Sequence, residues 1–372
     1  MVLIPKRGYL LLLTGIIIGM LIFSAISMLY SRTTSTGTIK RIEIIFLYSS
    51  EKQSWLEEVI PQFEKEFFKK YGIEVDVKLQ AAGTHETINM ILQGSSRPTI
   101  WSPASSIWIP YLNEKWMEKH PGQTIAPGGK PLVISPIVIV GWKSLVEKHS
   151  IGGFMDLYRL HKKGINYKWG HPDPSYSNGG TMTVLLEFCE AANKTPDTLS
   201  IQDLQDEKVL EIVSSIESHA VMYGKSTGFF GSWAVDGGPE VISFFGVYES
   251  IVLDNALKAK HKWNDTLIAV YPSFGTLLSD HPFVILNASW ITWYQKFAAE
   301  KLLEFLLRKD IQLRAEKHGF RPANPEVEVN PDIFNEKNGV SYTLNIRILK
   351  PPKGKVLEVM LKMWERVKNK GV

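Results

Sequence analysis

The chain has 372 residues, 44% of them hydrophobic and 22% charged, with 28 Gly, 20 Pro and one Cys. This composition excludes a disordered chain, a collagen-like chain and a disulfide scaffold, and the length suffices for two globular domains. Lys and Arg number 42 against 38 Asp and Glu, a formal charge of +4; Lys6, Arg7 and Arg32 precede residue 39, where no acid stands. The remainder is close to neutral, with no basic patch of the size that nucleic acid requires.

Tyr9 to Tyr30 contain no charged residue. A helix of this length extends about 33 Å and crosses a hydrocarbon core about 30 Å thick. The apolar region of a cleaved signal peptide is shorter, about 7–15 residues. With Lys6 and Arg7 ahead and a Tyr at each end, residues 1–8 read as a cytoplasmic N-terminus and 9–30 as a single-pass signal anchor. No Cys follows that could carry a lipid; the single cysteine, Cys189, is far away. Residues 31–39 form a polar, Thr-rich tether, which places the folded part outside the membrane. Asn193, Asn264 and Asn287 open glycosylation sequons that matter only in a glycosylating exterior.

From Ile42 the apolar pattern predicts an α/β chain. Ile42–Tyr48 reads as a buried strand. Ser54 and Glu57 have capping-box spacing and open a helix to about Lys70, with Pro61 expected to kink it and Gly72 to stop it. Ile73, Val75, Val77 and Leu79 alternate as a second strand. Gly83-Thr84 is a turn before a short helix carrying Ile88, Ile91 and Leu92. Strand, helix, strand, helix, strand at this spacing means a parallel sheet. Leu132–Trp142 is a buried strand interrupted at Ser135-Pro136, where a bend or an edge is expected. The polar stretch Gly170–Gly180 opens a helix through about Ala192. Val209, Ile212, Val213, Ile216 and Ala220 mark another helix. Phe244–Leu253, Leu267–Tyr271 and Phe283–Leu286 read as strands, Tyr294–His318 as one long amphipathic helix closed by Gly319, and 355–368 as the last helix.

Catalytic and metal-binding patterns are weak. Gly224, Ser226 and Gly228 match the nucleophile-elbow spacing, but a strand must precede the Ser and a helix must follow it, and a helical pattern precedes it here. No two of the nine histidines have zinc-ligand spacing; His171 beside Asp173 is short of ligands for a metal. No Walker or dinucleotide motif is present. Trp55, Trp101, Trp108 and Trp116 read as core side chains. No catalytic group, metal or cofactor is assigned. What stands out is hydroxyl and glycine clusters at expected strand ends: Ser49-Ser50, Gly83-Thr84, Ser102 with Ser105-Ser106, Ser135, Ser177 to Gly180, and Tyr248 to Ser250. In open α/β sheets a ligand sits beyond the carboxyl ends of the strands, and hydroxyls with free N–H groups at helix starts favour an anion.

Tyr48 to Glu51, Gly83-Thr84, Pro98 to Ser106, Gly170 to Gly179, Tyr223 to Gly228, Gly238-Pro239 and Tyr248 to Ser250 resemble segments of the solute-binding proteins of ABC importers. So do Tyr271 to Thr276, His281-Pro282 and Gly319 to Ala323. The resemblance spans about residues 42 to 325. It is closest to a subgroup whose relatives often carry a von Willebrand A domain, absent here, and extends more distantly to molybdate- and tungstate-binding proteins. It implies the type II periplasmic-binding-protein fold, two α/β lobes on a hinge: lobe 1 from 40–135 and 252–325, lobe 2 from 136–251, and a C-terminal extension with a helix at 326–372. The implied function is extracellular capture of a small solute, with an oxyanion as one candidate, for an ABC permease and ATPase on other chains. The expected contacts are Ser49, Ser50, Gly83, Thr84, Ser105, Ser106 and Ser135 from the first lobe and its hinge, and Ser177, Asn178, Gly179 and Tyr248 from the second. The molybdate-branch tyrosine would correspond to Tyr248. Glu249 would repel an oxyanion if it faced the cleft; it is either a hinge-buried carboxylate or a contact to a cationic or hydroxylated ligand. The competing readings are an extracellular serine hydrolase using Ser226 and a ligand-free structural or sensing ectodomain.

Overall fold

The structure, a computed structural model, describes residues 41–368. The anchor expected at 9–30 lies outside them, and among the described residues no helix is long and apolar enough to cross a membrane. Arg41–Ser49 forms β1. A 3-10 turn, Ser50–Lys52, leads directly into α1, Gln53–Tyr71. The capping box expected at Ser54 and Glu57 is not formed, because the helix already begins at Gln53; the Ser54 hydroxyl instead meets His318 Nδ1 at 2.8 Å. α1 continues through Pro61, and Gly72 ends it in the left-handed region, as a glycine C-cap does.

β2 (Glu74–Ala82), α2 (Thr84–Gln93), β3 (Ile100–Ser102), α3 (Trp108–Met117) and β4 (Lys130–Pro131) follow. Next come β5 (Val133–Trp142), α4 (Lys143–His149), α5 (Phe154–Lys162), β6 (Trp169–Pro172) and α6 (Asn178–Ala192). The chain continues through α7 (Ile201–Gln205), α8 (Glu207–Glu217), β7 (Ala220–Gly224), α9 (Thr227–Gly237), β8 (Phe244–Tyr248) and α10 (Glu249–Trp263). β9 (Leu267–Val270), β10 (Leu278–Ser279), β11 (Pro282–Ile285), α11 (Trp293–Leu306), α12 (Lys309–Glu316), β12 (Arg321–Pro322) and α13 (Gly354–Lys368) complete it.

Three element boundaries are also corrected. Ala220 belongs to β7, not to the preceding helix, because that strand pairs in parallel with β6. The strand expected over 244–253 stops at Tyr248; Ile251 and Val252 extend the apolar run as the buried face of α10, and a short apolar run does not separate strand from buried helix. The helix expected over 294–318 breaks at Leu307 and Arg308, where Arg308 turns extended to start α12. Its guanidinium is drawn to Glu66 and Asp310, while the apolar period runs on across the break.

The first sheet has the order β2-β1-β3-β11-β4, with β1 parallel to β3 and β11 antiparallel to it. β5 is shared. Its start pairs with β12 at Val133 and Ile134 and with β10 at Ser135 and Pro136. From Ile137 onward it pairs with β8 and β9, both antiparallel. The partners thus change at Pro136. A residue with no N–H is tolerated in a strand where a ladder ends, so β5 stays continuous. Leu267–Val270, expected in the first lobe, lies beside Ile139–Trp142, in the same sheet as β8. Beyond β8, Ser243 and Phe244 N–H both donate to Lys168 O just before β6, and β6 pairs with β7. Two α/β lobes result, joined through β5.

The second lobe is built on α6, whose residues Asn178 to Glu190 are all buried, Glu187 and Glu190 included, so the helix is interior on every side. α13 buries Val356, Leu357, Met360, Met363, Trp364 and Val367 and packs on α3 of one lobe and α6, α7 and α8 of the other. Gly354 N–H donates to Glu114 Oε1 (3.0 Å), and Lys115 pairs with Glu358 at 3.2 Å. The last helix is therefore part of the core. Leu357→Ala should lower unfolding free energy by about 2–5 kcal/mol, while exposed Lys355→Ala should change it by less than about 0.5 kcal/mol. Urea midpoints compare the two, and equal values would show that α13 does not contribute to the fold.

Candidate ligand-binding cleft

Ser50, Gly83 and Thr84 of the first lobe face Ser177, Asn178 and Tyr248 of the second across a cavity of about 400 Å³. They sit just past the ends of β1, β2, β6 and β8. Four helices begin at this cavity: α2, α6, α9 and α10. Gly83, Ser177 and Tyr248 are the N-caps of α2, α6 and α10, and none gives a side-chain cap hydrogen bond. Only Ser226, the cap of α9, accepts an N–H, from Phe229. Three helix starts whose N-cap side chains accept no N–H thus turn positive dipole ends to one space; on α10 the Ser250 N–H is already taken by Ser135 Oγ, so the free first-turn donors lie on α2 and α6.

Glycines let these elements meet. A Cβ on Gly180 would stand 1.8 Å from Pro172 O, and one on Gly179 would stand 2.8 Å from Thr227 Oγ1, so the start of α6 lies flush against the end of β6 and the start of α9. Asn178 is clamped from both lobes. Trp108 Nε1 donates to its Oδ1 (2.6 Å), and its Nδ2 donates to Tyr248 OH (2.7 Å). Trp55, Trp101 and Trp108 are fully buried.

The other expected contact residues do not line the cavity. Ser49 Oγ accepts from Lys52 Nζ (2.7 Å), and Ser105 Oγ donates to Leu278 O (2.9 Å). Ser106 N–H donates to Asp280 Oδ1 (2.7 Å), and Ser135 Oγ accepts from Ser250 N–H (3.2 Å). Glu249 is fully buried. Arg321 Nε reaches its Oε2 (2.6 Å), Arg321 Nη2 reaches its Oε1 (2.8 Å), and Tyr271 OH donates to it as well. Of the two readings left open by the sequence, the hinge-buried carboxylate is the one found, with its charge matched by a guanidinium.

Sequence reasoning missed Thr227, Lys225, Glu51 and Asp254, which also line the cavity. Strand-end punctuation does not mark them; Lys225 and Thr227 flank the Ser226 motif that was weighed only for catalysis. That Ser does sit between a strand and a helix, contrary to expectation. Its hydroxyl caps α9, and among the described residues no imidazole or carboxylate bonds it. Lys52, also missed, is fully buried behind Ser49. Its Nζ donates to Ser49 Oγ and to Ser102 O (2.9 Å) and meets His281 Nδ1 at 3.3 Å. Burial brings its pKa down to about 7 and holds His281 well below the usual imidazole range.

The chain belongs to the bacterial extracellular solute-binding proteins, whose family model matches residues 44–321. No curated protein matches it significantly in sequence. Among solved structures it is similar to an ABC transporter substrate-binding protein from Bradyrhizobium japonicum (15% identity, TM-score 0.59, 87% of this chain and 99% of that one). It is similar to the ferric binding protein from Campylobacter jejuni (15%, 0.59, 87% and 99%) and to the sulfate-binding protein from Mycobacterium tuberculosis (14%, 0.53, 88% and 98%). The chain is thus an extracellular solute-binding protein by family, and its fold is the two-lobed α/β fold of these solved binding proteins, the type II periplasmic-binding-protein fold. Its family places the folded part in the extracellular or periplasmic space and comprises binding proteins rather than enzymes.

One residue at the seam between the lobes has a measurable acid signature. His85, in the first turn of α2, packs edge-on against Trp108 with ring centroids 4.4 Å apart, and both its ring nitrogens are buried without a partner. Burial lowers its pKa to about 4, against a smaller upward pull from Asp173. A base whose folded value lies below its unfolded one adds stability above about pH 6.5, and this is lost as pH falls towards 4. His85→Leu should therefore remove up to about 3 kcal/mol of the acid-induced loss, read as the difference between urea midpoints at pH 7 and pH 4.5. Equal losses in both proteins would show that His85 does not titrate in this way.

Proposed function

We propose that this chain captures a small solute carrying an oxyanion group, free or on an organic body, closes its two lobes over it and delivers it to an ABC permease and ATPase on other chains. The observation that supports this most is the convergence at one cavity of the starts of α2 from one lobe and α6 and α10 from the other, with no N-cap side chain filling the first-turn N–H groups of α2 and α6. Helix starts bind anions through N–H groups and dipole ends without Arg or Lys. A volume of about 400 Å³ falls in the range of small-molecule sites and exceeds what a bare inorganic anion fills; Tyr176, Ile251 and Phe320 supply apolar wall for an organic body. Ser50, Gly83, Thr84, Ser177, Asn178 and Tyr248 are the contacts, with Thr227 added. Ser49, Ser105, Ser106, Ser135 and Gly179 shape the walls from behind, and the Glu249–Arg321 pair leaves no uncompensated charge at the hinge. The lobes rock about β5 at Ser135-Pro136 and about the return of the chain between Val270 and Leu278, with closure as the motion. Residues 9–30 tether the binder beside its importer and raise its effective concentration there.

The carboxylates of Glu51 and Asp254 also line the cavity. An ionised carboxylate only accepts hydrogen bonds, so an anion that keeps a proton suits this site better than one that cannot. Thermal shift of the full chain should therefore rise with inorganic phosphate or a phosphate monoester and rise less with sulfate. A ligand that binds only the native state adds about 2.7 kcal/mol at a hundredfold excess over Kd. Ser50→Ala, which removes a hydroxyl lining the cavity, should weaken the same ligand up to about tenfold, the value of one hydrogen bond. No shift with any oxyanion, alongside a shift with a sugar, an amino acid or a metal salt, would overturn the anion reading and keep the transport reading. No shift with any solute would favour the ligand-free ectodomain.

A further inference from the structure

The second lobe contains a polar cluster that the cleft does not use. His171 at the end of β6, Glu187 in the middle of α6 and Glu217 at the end of α8 are all fully buried, and their candidate ligand atoms lie within 4.8 Å of one another. His171 Nδ1 lies 2.8 Å from Pro172 O. A carbonyl only accepts, so that nitrogen carries the ring proton and Nε2 is the free position. Nε2 faces Glu217 Oε1 at 3.0 Å. The other oxygen of Glu217 is already filled, by Tyr223 OH (2.7 Å) and Trp364 Nε1 (3.0 Å). Both oxygens of Glu187 are buried and make no hydrogen bond of good geometry; the Trp169 indole and the Glu217 carboxyl lie beside them. Among the described residues no Lys or Arg forms an ion pair with either carboxylate; the one pairing is Glu217 with His171.

Two carboxylates cannot be buried side by side without two compensating positive charges. Either two protons supply them, one on His171 Nε2 and one on Glu187, or a single dication does. We propose that His171, Glu187 and Glu217 bind one structural zinc ion, which ties β6, α6 and α8 together beneath the cover of Trp364. The dication takes the place of the two protons and releases them, leaving the cluster neutral. The imidazole is oriented as a metal ligand is, with its other nitrogen donating to a backbone carbonyl. One imidazole nitrogen and oxygens of two carboxylates are ligand types that zinc takes, and the Tyr223 hydroxyl, donating to Glu217 Oε2, orients that carboxylate from behind. A closed interior does not suit magnesium, which keeps several waters, nor calcium, which needs six to eight oxygens. The sequence hid the site because its three ligands come from separate elements, and His171 has a different carboxylate, Asp173, as its near neighbour in the chain.

Burial on all sides means the ion enters as the lobe folds, so the test is refolding. The full-length, tag-free chain is unfolded in guanidinium with chelator, then refolded in detergent with or without zinc chloride. Gel filtration, elemental analysis and a melting curve follow. The expected result is about one zinc retained per chain, a higher melting temperature than the zinc-free sample, and a fall of at least about tenfold in retained zinc for Glu187→Gln. Manganese in place of zinc should give a smaller shift. Zinc retained equally by Glu187→Gln places the ion elsewhere, the cleft included, and overturns the proposal. So does a wild type that retains no zinc and melts at one temperature in both samples, the result expected if two protons neutralise the cluster. If Glu187→Gln does not fold, the wild-type pair decides by itself, with His171→Gln as the second variant. None of these readouts depends on the solute of the cleft.

Discussion

The architecture turns on one buried ion pair at the lobe junction. Arg321 comes from β12, which pairs with β5 just before Pro136. Glu249 follows Tyr248, which pairs with β5 just after it. Their two-pronged contact, joined by Tyr271 from the end of β9 and by the carbonyls of Ser341 and Tyr342, ties four chain segments together where the partners of β5 change. Breaking such a pair from one side costs about 3–5 kcal/mol, because the remaining charge stays buried, whereas a well-packed apolar substitute is often as stable. Its value is therefore geometric. The fork of a guanidinium on a carboxylate fixes direction as well as distance, and this junction sets how the two lobes present their helix starts to each other.

From that junction the cleft follows with few charged side chains. α10 starts at Glu249 itself, α6 is pressed against the end of β6 by its two glycines, and α2 enters from the facing lobe. The dipole ends and first-turn N–H groups of these helices carry the positive potential. Trp108 closes the seam by donating across it to Asn178, and the bond is buried. Polar groups at this seam are mostly satisfied by one another, which is what a site needs if it is to stay shaped before a ligand arrives.

The same lobe is built around a helix that carries two buried glutamates. α6 is interior on every side, yet it places Glu187 against His171 and Glu217 and sets Glu190 under Met155 N–H at 3.0 Å. Burial holds the Glu190 carboxyl up at about 7 and raises that of Glu187 well above its ordinary range. Carboxylates in such positions need a proton, a donor or a cation, and the C-terminal helix, through Trp364, brings one of the donors. The extension beyond residue 325 thus completes the lobe begun within the region that the family model matches, and α13 bridges both lobes by touching α3 as well.

Much of this was legible along the chain because it is local. The strands from Ile42 to Trp142 appear as apolar runs or alternation, Gly72 stops its helix, and Ser50, Gly83, Thr84, Ser177 and Asn178 mark strand ends that do face the cavity. The sequence misread the places where local pattern has two solutions. The apolar run through Tyr248 changes from strand to buried helix without changing its hydrophobicity, and the periodic helix past Leu306 breaks at Leu307 and Arg308 although the apolar period runs on across the break. Hydroxyls were overcounted because a Ser that lines a cleft and a Ser that ties a loop, such as Ser105 to Leu278, have the same neighbours in the chain. Tertiary structure alone decided that Glu249 meets Arg321 rather than the cleft, that Lys52 is buried, and that His171 finds Glu187 and Glu217. Each of these pairs residues between separate elements, and nothing in the period or composition of either element records its partner.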